Sequence, residues 1–245
     1  YATCPTGTAY GNQLIFMVGT TTIYTQKRDF VGGRRSGPVS FSIGDKGYVG
    51  MGRNMDLGGS LVTDIWEYDY STNYWTQKTN FPHPTEGVTV FTIGNKAYIG
   101  LGFAQNIGYS NNLWEYDVVN NIWTQKADYL GIGRMGSVAV TANGKAYVGL
   151  GSYSPYAGII KDFWEYNSAT NTWTQRLDFP GEMTRKRGDA VGFAINDKCY
   201  IGMGLDNNSD IFYKDLWEYN PTLNSWAQKA DYGGILVKST VCFAI

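Results

Sequence analysis

The chain has 245 residues, of which 43% are apolar and 17% charged, and its formal net charge is −1. That balance offers no basic footprint for nucleic acid or an anionic membrane surface, and no apolar run approaches the roughly 18 residues that a membrane-spanning helix needs. Gly (31), Tyr (19), Phe (11) and Trp (8) are abundant, a mixture that suits many short strands and tight turns rather than long helices.

The chain opens on Tyr1 with no charged-then-apolar leader before it, as expected of a processed mature protein or a trimmed one. Its first ten residues, YATCPTGTAY, match nothing later. Residues 11–19, GNQLIFMVG, match GNKAYIGLG at 94–102, and residues 23–29, IYTQKRD, match IWTQKAD at 122–128 with Tyr24 in the tryptophan position.

From there one segment is copied four times, as DIWEYDYSTNYWTQ, NLWEYDVVNNIWTQ, DFWEYNSATNTWTQ and DLWEYNPTLNSWAQ. Their first tryptophans, Trp66, Trp114, Trp164 and Trp217, stand 48, 50 and 53 residues apart. Within each unit G-x-V-x-F-x-I comes first, then G-[DN]-K-x-Y-[VI]-G-x-G, then W-E-Y-[DN], then W-[TA]-Q. These are predicted strands A, B, C and D. Period-2 alternation puts Tyr48 and Gly50 on one face and Val49 on the other, with Trp66 and Tyr68 opposite Glu67. The links IGDK and YSTN are turn sequences between antiparallel neighbours, so each unit is a four-stranded meander.

A period near 50 with aromatic and glycine marks is that of a kelch array. The chain resembles the kelch-repeat family over residues 25–245, through Gly50/Gly52, Gly100/Gly102, Gly149/Gly151 and Gly202/Gly204 and through Tyr68/Trp75, Tyr116/Trp123, Tyr166/Trp173 and Tyr219/Trp226. The wording D-F-W-E-Y-N-x-x-x-N-T-W-T-Q with Gly-x-Gly is similar to kelch arrays of secreted bacterial proteins, the galactose-oxidase-like propeller type. The resemblance implies an all-β, five-bladed β-propeller as one domain spanning 1–245. Blades one to four run over about 31–80, 81–129, 130–179 and 180–233, and the fifth joins about 1–30 to 234–245. The closing blade lacks a W-E-Y strand, which residues 1–10 either fill or cover as an edge. Cys4 and Cys242 are then candidates for a disulfide across the closure, in an oxidising compartment; the alternative is two buried thiols.

Because strands alternate in direction, the B–C loops and D–A crossings share one face of the disc, and the copies differ mainly there. Binding residues concentrate on such loops when a scaffold positions them. The candidates are Tyr109, Tyr153, Tyr156, Phe212 and Tyr213 with Asn207 and Asn208, beside Asn54, Asp56 and Asn106. Aromatic planes with amides suit a glycan or a protein; the alternative is that the loops pack on themselves. Arg35, Arg134 and Arg187 each stand eleven residues before the lysine of the next turn, where blade two has Thr85. By resemblance to kelch domains that bind acidic ligands, these three are candidates for carboxylate contact, against a reading in which each bonds a neighbouring blade's backbone.

The eight tryptophans all fall in repeated positions, as inter-blade packing requires. Glu67, Glu115, Glu165 and Glu218 recur as faithfully and are expected to be structural hydrogen-bond partners. Asp206 to Asp210 begins like a calcium loop but lacks its sixth-position glycine and twelfth-position glutamate. Arg187-Gly188-Asp189 aligns with Arg35-Ser36-Gly37 of blade one, so it is read as strand register rather than an adhesive tripeptide. The family includes a copper-radical galactose oxidase and a sialic-acid mutarotase. A single histidine, His83, excludes a multi-histidine copper or zinc site. The expectation is a non-catalytic, secreted or cell-surface binding module without cofactor, engaging glycan or protein. The alternatives are a structural subunit that self-assembles and a mutarotase-like enzyme using Arg35, Arg134, Arg187, Glu86 and Glu182.

Overall fold

The computed structural model of the protein describes residues 25–153, 160–182, 187–206 and 211–234. Four antiparallel four-stranded sheets follow one another along the chain, each in the order A-B-C-D. In blade one the strands are Val39–Ile43, Lys46–Gly50, Ile65–Asp69 and Tyr74–Lys78. Blade two has Thr89–Ile93, Lys96–Gly100, Leu113–Asp117 and Ile122–Gln125. Blade three has Val138–Ala142, Lys145–Gly149, Phe163–Asn167 and Thr172–Arg176, and blade four Val191–Ile195, Lys198–Gly202, Leu216–Asn220 and Ser225–Lys229. The expected strands are therefore present in every described unit. The segments expected to close a fifth blade, with Cys4 and Cys242, lie outside the described residues.

Alternation decides the register. Tyr48 faces Phe41 on one side and Glu67 on the other, while Val49 faces Ser40 and Trp66. Strand B ends sharply because Met51 and Gly52 both take left-handed φ, 56° and 71°. Gly50 admits no side chain: a Cβ there would stand 2.2 Å from the Asp64 carbonyl oxygen, so strand C can approach strand B only at glycine.

No single blade encloses a core; the apolar layers lie between blades. One layer joins Val39, Tyr48 and Ile65 to Ala97, Ile99 and Tyr116. A second joins Phe91, Tyr98 and Leu113 to Ala146, Val148 and Trp173. The third joins Val140, Tyr147 and Phe163 to Cys199, Ile201 and Tyr219. Each fully buried aromatic contributes about 2–3 kcal/mol from apolar area alone, so neighbouring blades stabilise one another, as in other stacked repeats.

Polar ties complete each seam. The C–D turn asparagine takes a left-handed φ, and its Oδ1 accepts both a tyrosine hydroxyl of its own blade and a main-chain N–H of the preceding one. Asn121 accepts from Tyr116 and Thr79, Asn171 from Tyr166 and Ala127, and Asn224 from Tyr219 and Leu177. The strand-D tryptophan then donates its indole N–H to the carbonyl of that same residue: Trp123 to Thr79, Trp173 to Ala127 and Trp226 to Leu177. Asn73 and Trp75 hold Arg28 in the same way, so residues leading into blade one occupy the place of a preceding strand D.

Candidate functional site

Above the large sheets, the start of strand A and the B–C loop form small sheets of their own. Arg35–Ser36 pairs with Arg53–Asn54, which pairs with Ser60–Leu61. Thr85–Glu86, Phe103–Ala104 and Gly108–Tyr109 repeat the pattern in blade two. Arg35 starts the first of these sheets; in blades three and four the corresponding segments are held by isolated bridges, Met135 to Ser152, Gly151 to Arg187 and Gly188 to Leu205.

Arg134 and Arg187 have no exposed surface, and the Arg35 side chain is 4% exposed. Each guanidinium forks onto an aspartate of its own blade: Arg134 onto Asp162 at 2.6 and 2.8 Å, Arg187 onto Asp215 at 2.7 and 3.1 Å, and Arg35 onto Asp64. The same carboxylates accept the indole N–H of the tryptophan two residues on, Trp66, Trp164 or Trp217, at 2.7–2.8 Å. Arg35 and Arg134 also donate to the carbonyls of Met51 and Leu150, and the cations lie over Phe30, Tyr129 and Phe179. Against the expectation of carboxylate contact, these guanidinium groups are committed to internal carboxylates. Against the alternative, their side-chain hydrogen-bond partners among the described residues lie within their own blade rather than on a neighbour's backbone. For Asp64, burial raises the carboxyl's pKa, but the bonds from Arg35 and Trp66 outweigh it and hold the carboxyl below its usual range.

The aspartates were not among the expected functional residues, although a sign of them stands in the sequence: Asp64, Asn112, Asp162 and Asp215 each precede the strand-C tryptophan by two. Asn112 occurs in the blade that has Thr85 in place of arginine, so both partners of the ion pair change together.

The repeated glutamates sit as expected of structural partners. Glu165 accepts from Lys145, Tyr147 and Arg176, clamping strand C to strands B and D, and Glu115 accepts from Tyr98 and Lys96, clamping strand C to strand B. Three donors, Lys198, Lys229 and Tyr200, hold the Glu218 carboxyl down to about 2. Asn54 caps the 3-10 turn Met55–Leu57, and Asp56 is bound by Arg34 at 2.6 Å, so both serve the loop itself.

The aromatic loop residues separate into two places. Phe103 and Tyr109 meet edge to face at 5.3 Å, and Tyr109 meets Tyr153 at 6.4 Å, so an aromatic group bridges blades two and three. Phe103 is exposed and the two tyrosines half-exposed. Beside it Ile107 is 61% exposed. In blade four Phe212 pairs with Leu205, and the ring of Tyr213 covers the Arg187 guanidinium at 3.8 Å. Tyr156, Asn207 and Asn208 lie outside the described residues. Across the face, Arg53 reaches from blade one to Glu86 of blade two in a paired contact of 2.7 and 2.5 Å. Among the described residues no three His, Cys, Asp or Glu side chains converge as a metal site, and no helix is long and apolar enough to cross a membrane.

Repeated four-stranded sheets with their glycine, tyrosine and tryptophan marks match the family model described as the KLHDC2/KLHL20/DRC7 kelch-repeats domain, over residues 37–242. The chain belongs to the kelch-repeat family. The kelch fold is seen also in the solved structure of YjhT, which superposes with a TM-score of 0.74 at 17% identity, covering 88% of this chain and 76% of that one. A search of curated proteins finds no match. The pattern repeated within this chain belongs to the blades, and its copies differ most in the loops between strands B and C.

Proposed function

We propose that this kelch propeller is a non-catalytic binding module of the cell exterior, secreted or surface-held, which recognises a glycan or protein through its B–C and D–A face. Its ring has five blades, the last built from both chain ends. The observation that carries the reading is the aromatic group of Phe103, Tyr109 and Tyr153 with exposed Ile107, in which Phe103 and Tyr109 stand on paired strands of a small sheet, while Arg35, Arg134 and Arg187 are paired internally. Rigid aromatic rings give large contact area at low entropic cost, and an apolar cluster held at a surface favours a partner. The reading needs no reactive group, and the arginines that an acid-handling enzyme would use are turned inward.

A glycan array and an affinity capture from the exterior fraction of the source cells test this, each run with the chain and with a Tyr109→Ala, Tyr153→Ala variant. Specific retention of one ligand, lost in the variant, is the expected result. Retention unaffected by the variant places binding elsewhere and overturns the reading.

A further inference from the structure

Blade two departs from its neighbours at three linked positions. Thr85 replaces the buried arginine, Asn112 replaces its aspartate, and Thr89 stands where the other blades have Val39, Val138 and Val191. Trp114, the counterpart of Trp66, Trp164 and Trp217, has a buried indole N–H without a partner among the described residues, and so has the Thr89 hydroxyl. Thr89 is 4% exposed. Two adjoining hollows share Gly100, Leu101 and Asn112: Trp114 lines the first with Thr85 and Ser110, and Thr89 the second with Tyr129, whose buried hydroxyl is likewise unpaired. Each has room for about one water-sized group. The mouth of the first is bordered by His83, whose ring meets Trp114 edge to face at 5.9 Å, and by exposed Ile107.

The chemistry of the lining selects the occupant. The Trp114 N–H can only donate. Around it, the Thr85 hydroxyl already gives its proton to the His83 carbonyl, and Asn112 gives an amide proton to Asp128. Thr85 Oγ1 therefore presents lone pairs, Asn112 Oδ1 keeps one beside the bond it accepts from the Ser110 hydroxyl at 3.1 Å, and the Leu101 carbonyl has no arginine of the kind that serves Leu150. A guanidinium or ammonium would leave the indole unpaired, and a carboxylate would meet lone pairs on three sides with no cation beside it. A neutral oxygen with both lone pairs and a proton, whether of a water or of a ligand hydroxyl, accepts from Trp114 and donates to one of the facing oxygens, so it fits both. A ligand hydroxyl can take the place of a water.

We infer that blade two carries a hydroxyl-accepting subsite, in which Trp114, Thr85 and Asn112 receive one hydroxyl of a neutral polyhydroxylated ligand, a sugar, where the other blades hold their own guanidinium. The remainder of the sugar lies outside, against His83 and Ile107. This rests on the proposed loop-face binding and narrows its ligand to a neutral glycan.

The test is the indole region of a ¹H–¹⁵N spectrum of the whole chain, with the Trp114 peak assigned by Trp114→Phe. Methyl glycosides of glucose, galactose, mannose and N-acetylglucosamine are titrated in turn, with N-acetylneuraminic acid as the charged counterpart and glycerol as a non-sugar polyol. At least one neutral glycoside is expected to shift the Trp114 peak saturably while the peaks of Trp66, Trp164 and Trp217 stay still. A Thr85→Arg, Asn112→Asp variant, which rebuilds the ion pair of the other blades, loses that response. If that variant does not fold, Trp114→Phe is expected to weaken the glycoside's affinity at least tenfold by calorimetry. No shift with any neutral glycoside, the same shift with glycerol, or a response to the acidic sugar alone overturns the subsite. A Trp114 response that survives Tyr109→Ala, Tyr153→Ala upholds the subsite against the wider loop-face reading; a ligand bound by those tyrosines that leaves Trp114 unmoved does the reverse.

Discussion

Arg134 and Asp162 form a fork of two parallel bonds, 2.6 and 2.8 Å, with the cation sealed from solvent and the anion shared with the Trp164 indole. Neither group can lose its partner cheaply, because the survivor is a charge held in the interior. Removing one member of a buried pair costs about 3–5 kcal/mol. Asp162→Asn is therefore expected to lower the melting temperature strongly. Copying blade two with Arg134→Thr and Asp162→Asn together is expected to cost less than the sum of the single changes. Additive costs, measured by denaturant unfolding of the three variants, would show that the two residues act independently.

That pair also marks the limit of the sequence as a guide. Strands A to D, the inter-blade role of the tryptophans and the clamping glutamates were legible because each recurs at fixed spacing within its blade. The arginine's partner was not, because Asp64, Asp162 and Asp215 follow the arginines by 28–29 residues, across a B–C loop whose length and wording change from blade to blade. The joint change to Thr85 and Asn112 was the available sign. The aromatic face was legible as composition, but not that Tyr213 would lie on Arg187 while Tyr109 joined Tyr153.

The seam between blades one and two hangs on Asn121, whose side chain accepts from Thr79 N at 2.9 Å and Tyr116 Oη at 2.7 Å while its own φ is 56°. Asn121→Gly keeps the backbone conformation available and removes both bonds. A loss of about 1–2 kcal/mol is expected, with Asn121→Ala worse because it adds strain at a left-handed φ. Equal stability of all three proteins by thermal melting would mean that the clasp does not hold the blades together.

Acid sensitivity should arise from the glutamate clamps. The Glu218 carboxyl is held at about 2, against an ordinary 4.5, by bonds from Lys198, Lys229 and Tyr200. Glu115 and Glu165 are also lowered: burial opposes ionisation, but bonds from Lys96 and Tyr98, and from Lys145, Arg176 and Tyr147, outweigh it. A group whose folded value is depressed stabilises the fold fully above its unfolded value, and that stability disappears as pH falls through the folded one. Melting temperature is thus expected to hold down to about pH 5 and to decline from there towards pH 2. Glu218→Gln should flatten part of that decline, and a variant with an unchanged profile would remove Glu218 from the account.

Cys199 lies fully buried in strand B of blade four, between Tyr147 and Tyr219 in the layer shared with blade three, and burial pushes its thiol up to about 12. Reactivity follows the thiolate fraction and access, and both are minimal here. Iodoacetamide at pH 8, with the modified position read by peptide mass spectrometry, is expected to leave Cys199 untouched in the native protein. In denaturant the same residue should label within the reaction time of a free cysteine, because its resistance comes entirely from the inter-blade layer. Labelling under native conditions at a rate near that of the unfolded chain would mean that blades three and four separate readily, and that the layer around Cys199 is not the continuous core that its neighbours describe.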